Sequence, residues 1–187
     1  VDYYIKKCEG HVQLHKVNAQ LVDDKRKFES MDGLIYLRNN EAGLDDLTLK
    51  IGRSDFKING VFKEIVNYFS GKGDLIADVE ITSKKIYLED LGTDTKEEKI
   101  LRERSYIIPK DIQGTVYLDV DFMSYDGHAF EKINGNRGIS KGTIHFPHIS
   151  VRNGGAEVLG SLTIEERAQE IFYISSRISS KNINFTK

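Results

Sequence analysis

Cysteine is almost missing from this chain of 187 residues: Cys8 stands alone, so no internal disulfide can form. A single thiol fits a reducing cytosol and a bacterial periplasm equally, and it selects neither. As a nucleophile Cys8 would need a base to activate it. His11 and His15 are near it in sequence, but no Gly-rich elbow presents the thiol, and a half-buried strand residue is the simpler reading. A basic excess is lacking too. The net charge is −2, which offers nothing general for neutralising phosphates, so nucleic acid is not an expected partner. No apolar run approaches the roughly 18 residues of a membrane-spanning helix. No G-x-S-x-G, H-E-x-x-H or C-x-x-C occurs, and Gly71-Lys72-Gly73 lacks the spacing of a phosphate-binding P-loop. The chain opens Val1-Asp2 with neither an initiator Met nor a signal peptide, which reads as a piece of a longer protein. No catalytic residue, metal or cofactor is expected.

What is present is alternation. Val12 and Leu14 are in phase, and after a one-residue slip at Lys16-Val17 so are Ala19 and Leu21, which predicts a long strand with a bulge. Leu47, Leu49 and Ile51 alternate with polar residues, as do Phe56, Ile58, Gly60 and Phe62. Further sets follow at Leu75–Ile81, at Ile86 and Leu88, at Val116–Phe122, and at Ile144 and Phe146. Ile149 and Val151, then Val158, Leu162 and Ile164, then Phe172, Ile174 and Ile178 complete the series. Strands this frequent, separated by Gly, Asn and Asp, argue for an antiparallel meander. Helix is scarce. Phe62, Val66 and Phe69 fall at i, i+4 and i+7, predicting two turns over 62–70 that end at Gly71. The run DTKEEKILRER at 94–104 pairs Glu98 with Arg102 but is otherwise solvated charge.

A repeat underlies the alternation. Ile51 to Gly60 and Val151 to Gly160 share one pattern displaced by 100 positions: an apolar residue, a polar or Gly-bearing corner, a short strand, a closing Gly. Two other echoes keep the same order, GHVQL (10–14) with GTVYL (114–118) and SKKI (83–86) with SKNI (180–183). Duplication of a meander is the economical account. It divides the chain into a first repeat at 1–91, a charged connection at 92–110 and a second repeat at 111–187. The hairpin corners are expected at Arg53-Ser54-Asp55 and Asn153-Gly154-Gly155, and the terminal Gly60 and Gly160 predict close backbone approach or positive φ.

Two constellations resemble chemistry and are better explained without it. His145 and His148 form H-x-x-H, but Pro147 lies between them and the flanks are strand-like, where residues three apart face opposite sides. Asp119 and Asp121 share a strand face, but the opposite phase from Val116 to Phe122 is apolar, so the carboxylates face water. Several strands carry apolar residues in both phases, such as Leu34–Leu37. One sheet face can then pack a core while the other offers an apolar trough, or the sheet can be half of a sandwich.

The stretch LTLKIGRSDFKINGVFKEIVNYF, followed by LIADVEITSKKIYLEDL, resembles the C-terminal region of AsmA-like proteins of the Bacteroidetes type. The resemblance rests on Ile51, Gly52, Ser54, Asp55, Phe56 and Gly60, then Tyr68, then Ser83, Ile86 and Leu88. It is specific around 47–91 and diffuse elsewhere in 10–187; the charged insert at 92–105 and the missing Ser-Asp corner of the second repeat depart from it. The resemblance implies a periplasmic protein tethered to the inner membrane by a helix outside this chain. It also implies kinship with bridge-like lipid-transfer proteins, whose curved sheets form apolar grooves, and a part in outer-membrane assembly or phospholipid homeostasis, without enzymatic activity. The expectation is therefore an all-β, curved antiparallel sheet of two related meanders with one short helix. Its groove wall would be Leu47, Leu49, Ile51, Phe56, Ile58 and Phe62, and its partners phospholipid acyl chains and envelope proteins. The alternatives are a structural or partner-binding envelope module and a carbohydrate-binding β-sandwich.

Overall fold

The computed structural model describes residues 9–20, 26–91, 110–153, 156–168 and 171–181. Cys8, almost all of the charged connection and the sequon-like Asn184-Phe185-Thr186 lie outside them. The described chain forms one curved, mostly antiparallel sheet. Its first five strands are β1 (Glu9–Gln20), β2 (Lys27–Arg38), β3 (Glu41–Ile51), β4 (Ser54–Lys63) and β5 (Leu75–Ser83). A two-residue strand, β6 (Ile86–Tyr87), follows, and five long strands complete the sheet: β7 (Ile112–Tyr125), β8 (His128–Ser140), β9 (Thr143–Asn153), β10 (Ala156–Ala168) and β11 (Ile171–Lys181). Neighbours in the sheet are neighbours in sequence except at one seam, where β5 pairs with β7.

That seam is parallel. Five antiparallel strands end at the edge of the sheet opposite to where they began. To continue in the same sheet the chain must travel back along a full strand length, which parallel pairing always demands. Residues 84–91 are the described beginning of this return. They carry β6, which adds parallel to the far end of β7, and a short helix α2 (Leu88–Leu91). No second sheet packs on the first among the described residues, so the sandwich architecture is not the one adopted.

The bulge expected at Lys16-Val17 is present: the β1/β2 register shifts between Leu14 and Val17, and Lys16 sits at φ 50°. The helix α1 is shorter than its periodicity predicts, Ile65–Phe69 rather than 62–70. Phe62 is held in β4 by pairing with both Ala42 and Ala77, and tertiary pairing overrides the i, i+4 signal. Gly71, at φ 69°, closes the helix as expected, its N–H bonded to the Tyr68 carbonyl. The second helix, α2, was not expected, because Ile86 and Leu88 read as a continuing strand.

The echoed segments fall on corresponding strands of the two runs of five. GHVQL lies in β1 and GTVYL in β7, the first of each; Ile51–Gly60 and Val151–Gly160 span the third and fourth; SKKI begins at the end of β5 and SKNI at the end of β11. The first corner lies one residue earlier than expected. Gly52 and Arg53 alone make the turn, while Ser54 pairs with Ile51 and Asp55 with Lys50 inside the ladder. At the second corner Asn153 pairs with Ala156, and Gly154-Gly155 lie outside the described residues.

Candidate functional site: an apolar sheet face

Residues directly opposite one another in a ladder point to the same side of the sheet, as do residues two apart on a strand. Following the registers gives rows that run across the sheet, the first of them through all ten strands of its path. One begins Gly10, Leu37, Ala42, Phe62, Ala77 and continues Gly114, Ile139, Ile144, Ile164, Ile174. All ten positions are apolar or glycine. The next row on the same side runs Val12, Ile35, Leu44, Gly60, Val79, Val116 and reaches Arg137. A third runs Leu47, Ile58, Ile81, Leu118, then Gly135, Ile149, Gly160, Ile178.

The other face is polar. It carries Lys57 and Asn59 on β4, Asp78 and Glu80 on β5, Asp119 and Asp121 on β7, and Asn134 and Asn136 on β8. Lys57 and Asp46 pair there at 2.8 Å, and Lys132 pairs with Asp121. The exposed carboxylates of Asp119 and Asp121 thus face water, as alternation requires. His145 and His148 also lie on this face, and both on the same side. The β9 register slips around Pro147, so His148 opposes Asn136 while His145 opposes Gly138, two residues along. An extra residue at the slip restores the phase that a three-residue spacing would otherwise break. Both imidazoles are exposed, His145 touches Thr163 Oγ1 at 2.8 Å, and no three potential metal ligands cluster among the described residues.

All six residues proposed from sequence as groove wall lie on the apolar face. Leu47 opposes Ile58, Leu49 opposes Phe56, Ile51 opposes Ser54, and Phe62 opposes Ala42. They do not share one environment. Phe56 packs with Leu88 and Leu91 against a buried cluster of Ile86, Val120 and Ile133. Here the returning chain lies on the apolar face and closes a small core at one end of the strands. Ile58 and Phe62, one and three residue pairs farther from that end, are half-buried. Leu47, Ala77 and Val116 on the same face are buried, at 7–8% exposure.

The corner at 52–55 is the fastening of the closed end. Arg53 grips Asp90 through its backbone N–H (2.7 Å), Nη2 (2.7 Å) and Nε (3.0 Å), and its guanidinium lies 4.1 Å above the Tyr87 ring. Ser54, fully buried, accepts from the Tyr87 N–H (2.9 Å) and donates to the Tyr87 carbonyl (3.3 Å). The Asp55 carboxylate accepts from Ser83 Oγ and from the N–H groups of Lys84 and Lys85 at 2.8–3.1 Å. The two stretches that carry the family resemblance are thus the two sides of one contact. The Arg53 pair holds the Asp90 carboxyl below the usual carboxylate range, its hydrogen bond from the Arg53 side chain being the main cause.

Sequence reasoning missed most of β8. HAFEKINGNRGIS holds few apolar residues and two glycines that read as turn, so the rows could not be followed through it and Arg137 went unnoticed. Its only sequence signal is the spacing Ile133, Gly135, Arg137, Ile139, a period-two run interrupted by one charge. Compared with known proteins, the chain matches no family model, no curated protein and no solved structure.

Proposed function

We propose that this chain is a non-enzymatic segment of a periplasmic, inner-membrane-tethered protein in which the apolar sheet face carries phospholipid acyl chains, in outer-membrane assembly or phospholipid transport. The observation that supports this reading is one apolar row continuous across ten strands, flanked on the same face by two shorter ones, in a sheet with no second layer among the described residues. A chain laid along them exchanges water for aliphatic wall at about 0.8 kcal/mol per CH₂ buried. The polar reverse face keeps such a sheet dispersed in water. The AsmA-like resemblance supports the same reading, and its two motifs meet at the Arg53–Asp90 fastening.

A second reading, a structural or partner-binding envelope module, is favoured by the closed cluster around Val120, where the apolar face is already covered by its own chain. Lipid extraction and mass spectrometry of the purified protein, with displacement of a fluorescent phospholipid, separate the two. Stoichiometric phospholipid is expected. Neither co-purified lipid nor saturable binding would leave the module reading in its place.

A further inference from the structure

Among the three apolar rows, one position is charged. Arg137 stands on β8 directly across from Val116, which is 7% exposed, with Gly135 and Ile139 two residues away on either side. Its Nε is buried and has no hydrogen-bond partner among the described residues. Burial lowers its pKa, and no carboxylate among the described residues offsets that effect. A guanidinium stays protonated, and while Arg137 as a whole is half-buried, its Nε is shut from water, and such an unpartnered donor is costly unless an anion meets it. Arg137 is three residues from the end of β8 at Ser140, so a group bound there sits toward the end of the strands away from the Ile86–Val120–Ile133 cluster.

We propose that Arg137 anchors a headgroup: its guanidinium takes the phosphodiester of an anionic phospholipid whose acyl chains lie along the neighbouring apolar rows. The planar fork of Nε and Nη donors matches two phosphate oxygens, and water exclusion by Val116 and Ile139 strengthens those bonds. The proposal rests on the lipid-carrying reading of the same face, and its test separates the two. Binding of fluorescent phosphatidylglycerol is compared with that of a diacylglycerol bearing the same chains and fluorophore, for wild type, Arg137→Met, Arg137→Gln and Arg137→Lys. Wild type is expected to prefer phosphatidylglycerol by roughly tenfold or more, the size of one charge-assisted bidentate contact. Arg137→Met and Arg137→Gln lose that preference and keep diacylglycerol binding, and Arg137→Lys retains part of it. Arg137→Met melts no lower than wild type, since an apolar replacement removes a buried donor that has no partner. A preference that survives in Arg137→Met and Arg137→Gln overturns the anchor, as does a wild type that binds both lipids equally, which leaves the trough standing. A wild type that binds neither lipid overturns both.

Discussion

Gly60 and Gly160 occupy the fourth strand of their respective runs of five, and each is pressed against the backbone of the fifth. A Cβ on Gly60 would lie 2.6 Å from the Asp78 carbonyl oxygen and 2.9 Å from Val79 Cα. On Gly160 it would lie 2.3 Å from the Arg177 oxygen and 3.1 Å from Ile178 Cα. Neither glycine has a positive φ, so close approach and not backbone hand is what excludes a side chain. Backbone atoms in a paired strand cannot step aside without breaking ladder bonds. Gly60→Val and Gly160→Val are each expected to destabilise by about 1–3 kcal/mol, lowering the melting temperature by several degrees in a chain of this size. Thermal melts by circular dichroism check this, and wild-type melting in both variants would refute it. The matched contacts also tie the two halves together more closely than their residue identities do.

At the scale of elements, the return from β5 to β7 is fastened at its start by a hairpin corner earlier in the chain, through Arg53 and Asp90. Asp90 lends itself to a pH test. Its folded pKa is depressed by Arg53, so the pair contributes stability fully above the ordinary carboxylate pKa of about 3.9. That contribution is lost as pH falls through the lower folded value. Asp90→Asn is expected to melt below wild type at pH 7, with the gap narrowing as the pH is taken down toward 3. A gap independent of pH would show that the carboxylate's charge is not what holds the return in place. The strands themselves were legible in sequence because one face is apolar and the period is two. The bulge at Lys16 showed in the broken phase. The exact corner did not: Ser54 and Asp55 are residues that favour turns, yet here they continue β4 and spend their side chains on residues 83–87. The parallel seam was hidden as well, since its partners are 37 positions apart in sequence and no local pattern marks them.

At the scale of the whole sheet, the apolar face of the described residues divides into a fastened end around Val120 and a remainder outside that cluster, and a buried charge should tell them apart. Phe56→Lys places an ammonium among Ile86, Val120 and Ile133 and removes a packed ring, a loss of roughly 3–5 kcal/mol on the scale of Phe→Ala changes. That is enough to unfold a marginal domain. Ile58 lies outside that cluster and is half-buried, so a long side chain can carry its charge to water, and Ile58→Lys is expected to fold but to lose fluorescent phospholipid binding. Melting curves and binding isotherms on both variants decide it: equal unfolding would mean that the face is one closed core. The six wall residues could be named from sequence because each strand announces its own phase. That these phases align into continuous rows could not, because alignment is a property of registers across β8, the strand with the weakest pattern. The odd number of strands in each half has a consequence for size. Since β5 runs with β1 and β7 pairs parallel to β5, β7 sets out in the direction of β1, five strands and about 24 Å farther along the sheet. An array of such halves is commensurate with itself. It can gain or lose five-strand steps through evolution with polarity, inward face and edge all conserved, so that its span becomes a heritable length, set by copy number and not by refolding.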